Sequence, residues 1–199
     1  MKSQHSMIYP ERISLPCIGQ MDQSQNNLDL IRLACTMSHL EQAGWYWGSM
    51  TATEAKQLLH EASEGTFLMR DSSSPDCLLT LSVKTSVGPT HIRIQYDEGK
   101  FGFDSALLAK PKLKHFEYVV GLVQFYALVC QNLNNNPQME RSVSKAPSIQ
   151  LKLTKPLYTC IPSLQHLCRI VINKRTRSVR ELPLAPGLKE YLLKYPFLM

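Results

Sequence analysis

Residues 65–73, Gly-Thr-Phe-Leu-Met-Arg-Asp-Ser-Ser, set one arginine inside a run that otherwise reads as an apolar strand, and the run ends in hydroxyls. A permanently charged guanidinium in such a strand needs an anion, because leaving one partner of a buried ion pair unpaired costs about 3–5 kcal/mol. Arg70 therefore pairs with an internal carboxylate or waits for an anionic ligand. Its neighbour Asp71 belongs to the other face of the strand, since successive side chains alternate. Guanidinium, the hydroxyls of Ser72 and Ser73 and the N–H groups of a turn together suit phosphate, which takes parallel charge-assisted hydrogen bonds from the planar fork.

The next strands bring further donors to that face. Cys77 to Lys84 and Thr90 to Tyr96 read as β, with Val87-Gly88-Pro89 as the turn between them. In an antiparallel meander one face carries Phe67, Met69, Leu79, Leu81, Val83, Ile92 and Ile94 and is core. The other carries Leu68, Arg70, Thr80, His91 and Arg93, a cationic pocket beside the serine turn.

Trp45-Tyr46-Trp47-Gly48, then a helix, then Gly-Thr-Phe-Leu-Met-Arg-Asp-Ser resembles the opening of a Src-homology-2 domain, the phosphotyrosine-binding module. Arg70 falls on the arginine of that family's Phe-Leu-Val-Arg-Glu-Ser signature, with Met for Val and Asp for Glu as mild departures. By the same resemblance Ser72 and Ser73 belong to the phosphate-binding loop, Thr80 to the next strand, and His91 and Arg93 to the strand lining the phosphotyrosine ring. The implied fold is α+β, a central antiparallel sheet flanked by two helices, over about residues 45–153.

A length of 199 residues with 44% hydrophobic content leaves room for extras around one such module. The net charge of +6 suits a phosphorylated partner or a nucleic acid without choosing between them. The one dense basic run, Lys174-Arg175-Thr176-Arg177, is short and reads as a solvated loop, so a nucleic-acid partner is not expected. Six cysteines show no Cys-x-x-Cys pair and no zinc spacing, and His39, His60, His115 and His166 lack metal spacing, so neither metal nor cofactor is expected. No apolar segment approaches the ~20 residues needed to span a bilayer, no signal peptide is legible, and the thiols read as reduced, which together point to the cytoplasm. The phosphate-cradling loop holds serines where a Cys/His phosphatase would place its nucleophile, and no nucleophile elbow is present, so no catalytic residue is assigned.

Residues 1–28 are polar and rich in Ser, Gln and Asn, which predicts a disordered leader. Leu30, Leu33, Met37 and Leu40 then recur at helical spacing, giving an extension helix over residues 29–44. Thr51-Ala52-Thr53-Glu54 has capping-box spacing and opens a helix through about Glu61. A second helix is expected from His115 to Cys130, a flexible loop from Gln131 to Ser148, and a closing strand from Ile149 to Leu153.

The remaining residues, 154–199, pose a separate problem. Pro162 to Ile172 reads as a helix with Leu164, Leu167, Cys168 and Val171 on one narrow face, and a segment this short rarely buries such a stripe by itself. The stripe packs on the preceding domain, which periodicity alone favours, or anchors another protein. Ser-Leu-Gln-His-Leu-Cys-Arg-Ile-Val-Ile resembles the elongin-binding part of a SOCS box, the C-terminal element of the suppressor of cytokine signalling family. That resemblance favours the second destination, assigns Leu164, Leu167, Cys168 and Arg169 to elongin C, and implies elongin B beside it. Leu182-Pro183-Leu184-Ala185 resembles the Leu-Pro-hydrophobic-Pro element that docks a cullin-5 scaffold, although the last proline comes one position late, at Pro186.

Extension helix, phosphotyrosine module and small C-terminal helical box together imply a non-catalytic substrate receptor of an elongin–cullin ubiquitin ligase. Such a receptor would damp cytokine receptor (JAK-STAT) signalling by binding a tyrosine-phosphorylated receptor or signalling protein. The alternative is a pure adaptor that covers the phosphotyrosine without recruiting a ligase.

Overall fold

In the computed structural model, which describes residues 23–104, 114–135, 151–176 and 178–199, strand β1 (Thr66–Asp71) is hydrogen-bonded along both edges. One edge takes β2 (Leu79–Thr85), antiparallel, from Phe67 opposite Val83 to Asp71 opposite Leu79. The other edge is divided between two distant segments. Thr154 N–H donates to Gly65 O at 2.8 Å and Leu157 N–H to Phe67 O at 2.7 Å. Higher up, Met69 N–H donates to Trp45 O at 3.0 Å and Asp71 N–H to Gly48 O at 2.7 Å. With β3 (Gly88–Asp97), β4 (Lys100–Phe103) and β5 (Lys155–Pro156) the sheet has the order β4-β3-β2-β1-β5, antiparallel except for the parallel β1–β5 pair.

The helices are α1 (Gln23–Ala43), α2 (Ala52–His60), α3 (Val119–Asn135), α4 (Leu164–Arg175) and α5 (Pro186–Leu193), with a 3₁₀ turn at Val179–Glu181. α2 opens as its spacing predicts. Thr51 Oγ1 accepts from Glu54 N–H at 3.2 Å, and the Glu54 carboxylate accepts from Thr51 N–H at 2.8 Å, satisfying two of the donors that a helix start leaves over. Leu59 and Ala55 of α2 cover Leu68 on one face of the sheet. The opposite face buries Phe67, Met69, Leu81, Ile92 and Ile94 under Val119, Val120 and Val123 of α3 and Leu40 and Ala43 of α1. Strand parity thus sorts the apolar residues as the sequence predicts, with α2 closing one face and α3 and α1 together the other.

Several boundaries differ, each for a local reason. α1 begins at Gln23, six residues before Asp29, and Leu30 is exposed while Leu33, Met37 and Leu40 pack inward; the rest of the expected leader, residues 1–22, lies outside the described residues. The β2–β3 turn is Ser86-Val87, and Pro89 sits inside β3 opposite Lys84. α3 starts at Val119 and not at His115, because Phe116 is held to β4 by reciprocal bonds, Phe101 N–H to Phe116 O at 2.7 Å and Phe116 N–H to Phe101 O at 2.9 Å. It also continues through 131–135, the first part of the expected loop, of which 136–148 lies outside the described residues. Of the closing strand expected over 149–153, residues 149 and 150 lie outside the described residues; Leu151 and Leu153 are buried as alternation predicts, but the ladder forms further on, at Lys155–Pro156, against the edge of β1. The chain from Thr154 to Leu157 is therefore part of the sheet, although the sequence assigns it to the C-terminal box.

The last residues return to the main core. Tyr195 and Phe197 are buried with α1 and α3, and their rings meet the His39 ring edge-on at centroid distances of 5.9 and 5.1 Å. His39 Nε2–H donates to Lys194 O at 3.1 Å, and Asn173 Nδ2–H of α4 donates to Tyr195 O at 2.7 Å.

Gly65 is where β1 must accept the returning chain. Its φ is +81°, and a Cβ there would lie 2.7 Å from Thr154 Cγ2, 2.8 Å from Thr154 Oγ1 and 3.2 Å from Lys152 O. Gly65→Ala is expected to destabilise the protein by more than about 1 kcal/mol, and by more than Gly48→Ala, whose Cβ would meet nothing within 4 Å at a φ of +58°. Urea unfolding of both variants checks the order.

Candidate functional site

Sheet register assembles the site. Arg70, Thr80 and Arg93 lie side by side across β1, β2 and β3, and Leu68, Ser82 and His91 form the adjacent row. Both rows are on the α2 side of the sheet. Five of the six residues assigned from sequence, Arg70, Ser72, Thr80, His91 and Arg93, are thereby gathered around β1 and its outgoing turn, and Ser73 follows in the same turn.

Arg70 is only 3% exposed. Its Nε–H donates to Ser82 Oγ at 3.2 Å and Nη1–H to the backbone oxygen of Asp71 at 2.9 Å. The Asp71 carboxylate is turned to the far face, where it accepts the Tyr46 hydroxyl. Among the described residues no ion pair includes Arg70. Burial pushes the guanidinium pKa down from its ordinary value, with the Asp71 charge opposing. Among the described residues the group is held by neutral acceptors alone.

The turn after β1 closes on itself. Ser72 N–H donates to Leu78 O at 3.0 Å, and Ser72 Oγ accepts from Ser74 N–H at 3.1 Å. That acceptance leaves the Ser72 hydroxyl proton free to donate. Ser73 and Arg93 are exposed and Thr80 is buried. His91 Nδ1 lies 2.9 Å from Ser82 Oγ, and its pKa is lowered first by burial, then by the charges of Arg70 and of Lys56 on α2. Ser82 is a member of the pocket that the sequence reading missed. Ser82 shares the strand parity of Thr80, which is the signal that finds it. Arg70, Arg93 and the hydroxyls of Ser72, Ser73 and Thr80 give this side of the sheet a cationic, donor-rich character. Among the described residues, no group of three or more His, Cys, Asp or Glu side chains is arranged to hold a metal ion.

A second feature lies on α4. Ser163 caps the helix, accepting from His166 N–H at 3.2 Å, and two faces then diverge. His166, Arg169 and Ile170 turn inward. Leu164 at 76% exposure, Leu167 at 39% and Val171 at 58% turn outward together with Cys168. Intramolecular packing of this stripe, which periodicity favours, is not what forms. Arg169, which the resemblance groups with the outward leucines, is buried behind them. Its Nη2 donates to Gln42 Oε1 of α1 at 3.0 Å and to His166 Nδ1 at 2.7 Å, and its guanidinium lies 4.4 Å from the Tyr191 ring centroid and 4.7 Å from that of Tyr195. Leu182, Pro183 and Leu184 face the last turn of α4, where with Val171, Ile172, Arg175 and Thr176 they line an apolar groove. Pro186 opens α5 as one of its first residues, a position where its missing N–H costs nothing.

The SH2 domain model matches residues 45–126 and the SOCS box model residues 160–193. The first match spans β1 to β4 and the pocket around Arg70, leaving out β5; the second runs from just before the α4 cap to the end of α5. Suppressor of cytokine signaling 2 from Homo sapiens is 54% identical over 166 residues, 83% of this chain and 82% of that protein; the Rattus norvegicus protein of the same name is 53% identical with the same coverage. Cytokine-inducible SH2-containing protein from Gallus gallus is 46% identical over 181 residues, 85% of this chain and 72% of that protein. No helix among the described residues is long and apolar enough to cross a membrane.

Three histidines, His39, His91 and His166, have pKa values below their ordinary 6.5, each chiefly through burial. The unfolded chain then binds protons at a pH where the folded chain does not, so stability rises with pH in that window. Their contribution should be complete above about pH 6.5 and fall away as the pH drops through the lower folded values. Denaturant unfolding across pH 5 to 8 checks this; stability that is flat or rises on acidification in that range contradicts it.

Proposed function

The chain belongs to the suppressor of cytokine signalling family, in the branch of Suppressor of cytokine signaling 2 and Cytokine-inducible SH2-containing protein, and on that premise we propose that it is a non-catalytic substrate receptor of an elongin–cullin ubiquitin ligase. Its SH2 domain and SOCS box imply phosphotyrosine binding and suppression of cytokine signalling. In this reading Arg70 takes the phosphate through its free guanidinium edge, Ser72, Ser73 and Thr80 add hydroxyl donors, and His91 and Arg93 flank the aromatic ring. The substrate is a tyrosine-phosphorylated cytokine receptor or an associated signalling protein in the cytoplasm.

The observation that carries the phosphate half is the buried Arg70 charge without an ion-pair partner among the described residues. The outward stripe on α4 supports the ligase half. Fully covering a leucine or valine side chain stabilises an assembly by about 1.5–3 kcal/mol, and Leu164, Leu167 and Val171 with Cys168 offer several such groups to elongin C, which brings elongin B. Arg169 acts from behind this surface by fixing α4 against α1. Leu182, Pro183 and Leu184, beside the lower end of the same helix, form the cullin-5 contact. Transfer chemistry then belongs to the recruited machinery. Bringing that machinery to the bound receptor, and covering the docking tyrosine, are two routes to the same suppression.

One pull-down with two variants tests both halves. Arg70→Lys should nearly abolish retention on phosphotyrosine peptides, because a point ammonium lacks the bidentate fork, while elongin C still co-purifies. Leu164→Asp, a change at a solvent-facing position in the first turn where an acid suits the helix dipole, should lose elongin C and keep the peptide. If either variant loses both partners, or neither, the proposed division of labour fails.

A further inference from the structure

Ser82 is completely buried between two members of the pocket, its hydroxyl 3.2 Å from Arg70 Nε and 2.9 Å from His91 Nδ1. A guanidinium N–H only donates, so Ser82 Oγ accepts from Arg70, and its single proton needs an acceptor of its own. Among the described residues the only other polar atom bonded to that hydroxyl is His91 Nδ1. A buried hydroxyl proton left without an acceptor would carry the full desolvation penalty of an unsatisfied donor. Nδ1 is therefore the acceptor, and the ring proton sits on Nε2.

We infer that Ser82 is a positioning residue for phosphate recognition, which pins the Nε edge of Arg70 so that the opposite edge of the fork stays open to the anion, and holds His91 neutral as the Nε2–H donor. The inference rests on reading this pocket as a phosphotyrosine site. Two contacts fix the guanidinium plane, Ser82 Oγ on Nε and the Asp71 backbone oxygen on Nη1. Neither uses a charge, so the orientation is set without neutralising the group that must meet the ligand. Protonated His91 would have no lone pair on Nδ1 and would strand the Ser82 proton, which adds a local reason for the ring to stay neutral beside Arg70 of β1, Lys56 of α2 and the neighbouring Arg93 of β3. A serine here does what an aspartate would do for orientation, without pairing the arginine internally.

The test uses the full chain, phenyl phosphate as the probe, and ring ¹⁵N chemical shifts of His91. Wild type should show His91 as the neutral Nε2–H tautomer. Ser82→Ala should remain folded, bind phenyl phosphate about tenfold more weakly, the factor expected for losing roughly 1.4 kcal/mol of a charge-assisted contact, and lose the single-tautomer signature. A wild-type ring carrying its proton on Nδ1 overturns the inference without any variant. So does an alanine variant that binds phenyl phosphate as wild type does. A wild type that fails to bind phenyl phosphate at all sinks the phosphotyrosine reading itself, and this inference with it.

Discussion

The Arg70 guanidinium is nearly closed off from water, and the three-stranded row around it supplies only neutral acceptors. That single choice organises the pocket. A carboxylate in the position of Ser82 would satisfy the charge internally and leave a stable but inert sheet. The register of β1, β2 and β3 places Thr80, Ser82, His91 and Arg93 on the same side, and α2 brings Lys56 toward them. The energetic cost of an unpaired buried cation is borne by the core on the opposite face, where Phe67, Met69, Leu81, Val83, Ile92 and Ile94 alternate with the pocket residues along the same strands. The proposed binding face and the stabilising core are thus the two faces of one sheet.

The C-terminal box is joined to that sheet more closely than a tethered module would be. Thr154 to Leu157 pair with β1, and Tyr195 and Phe197 are buried in the main core, so the box is stitched in at both ends. Between the stitches, α4 turns His166 and Arg169 inward together with Ile170 and shows its leucines to the outside. The inversion is explained by Arg169. A cation can be buried where two aromatic faces and an amide oxygen receive it, and Tyr191, Tyr195 and Gln42 do so. With that face engaged, Leu164, Leu167, Cys168 and Val171 have nowhere to go but outward.

Strand parity made most of the sheet and the pocket legible from sequence, because a period of two leaves no ambiguity once the register is antiparallel. Arg70, Thr80, His91 and Arg93 follow from counting. Ser82 obeys the same count, yet a serine in an apolar strand carries no chemical signal until its two partners are known to lie across from it. Arg169 is a different case. The resemblance, not helical spacing, assigns it to the partner surface with the leucines, and nothing in a linear sequence says that the rings of Tyr191 and Tyr195 receive a buried guanidinium. The structure departs from the boundaries expected at His115 and Val87, and from the closing strand expected to end at Leu153, where a backbone pairing partner decides the conformation: Phe101 for Phe116, Lys84 for Pro89, and the edge of β1 for Lys155–Pro156.

The central claim is that the charge on Arg70 is reserved for a ligand and is not part of the internal bookkeeping of the fold. Unfolding of Arg70→Met beside wild type, with and without phenyl phosphate, tests it most directly. Ligand binding to the folded form alone raises stability by RT ln(1 + [L]/Kd). The account predicts that the methionine variant is at least as stable as ligand-free wild type and gains nothing from phenyl phosphate, while wild type gains with concentration. A variant destabilised by about 3–5 kcal/mol, the loss expected when an internal ion pair is broken, or one that still responds to phenyl phosphate, would contradict it.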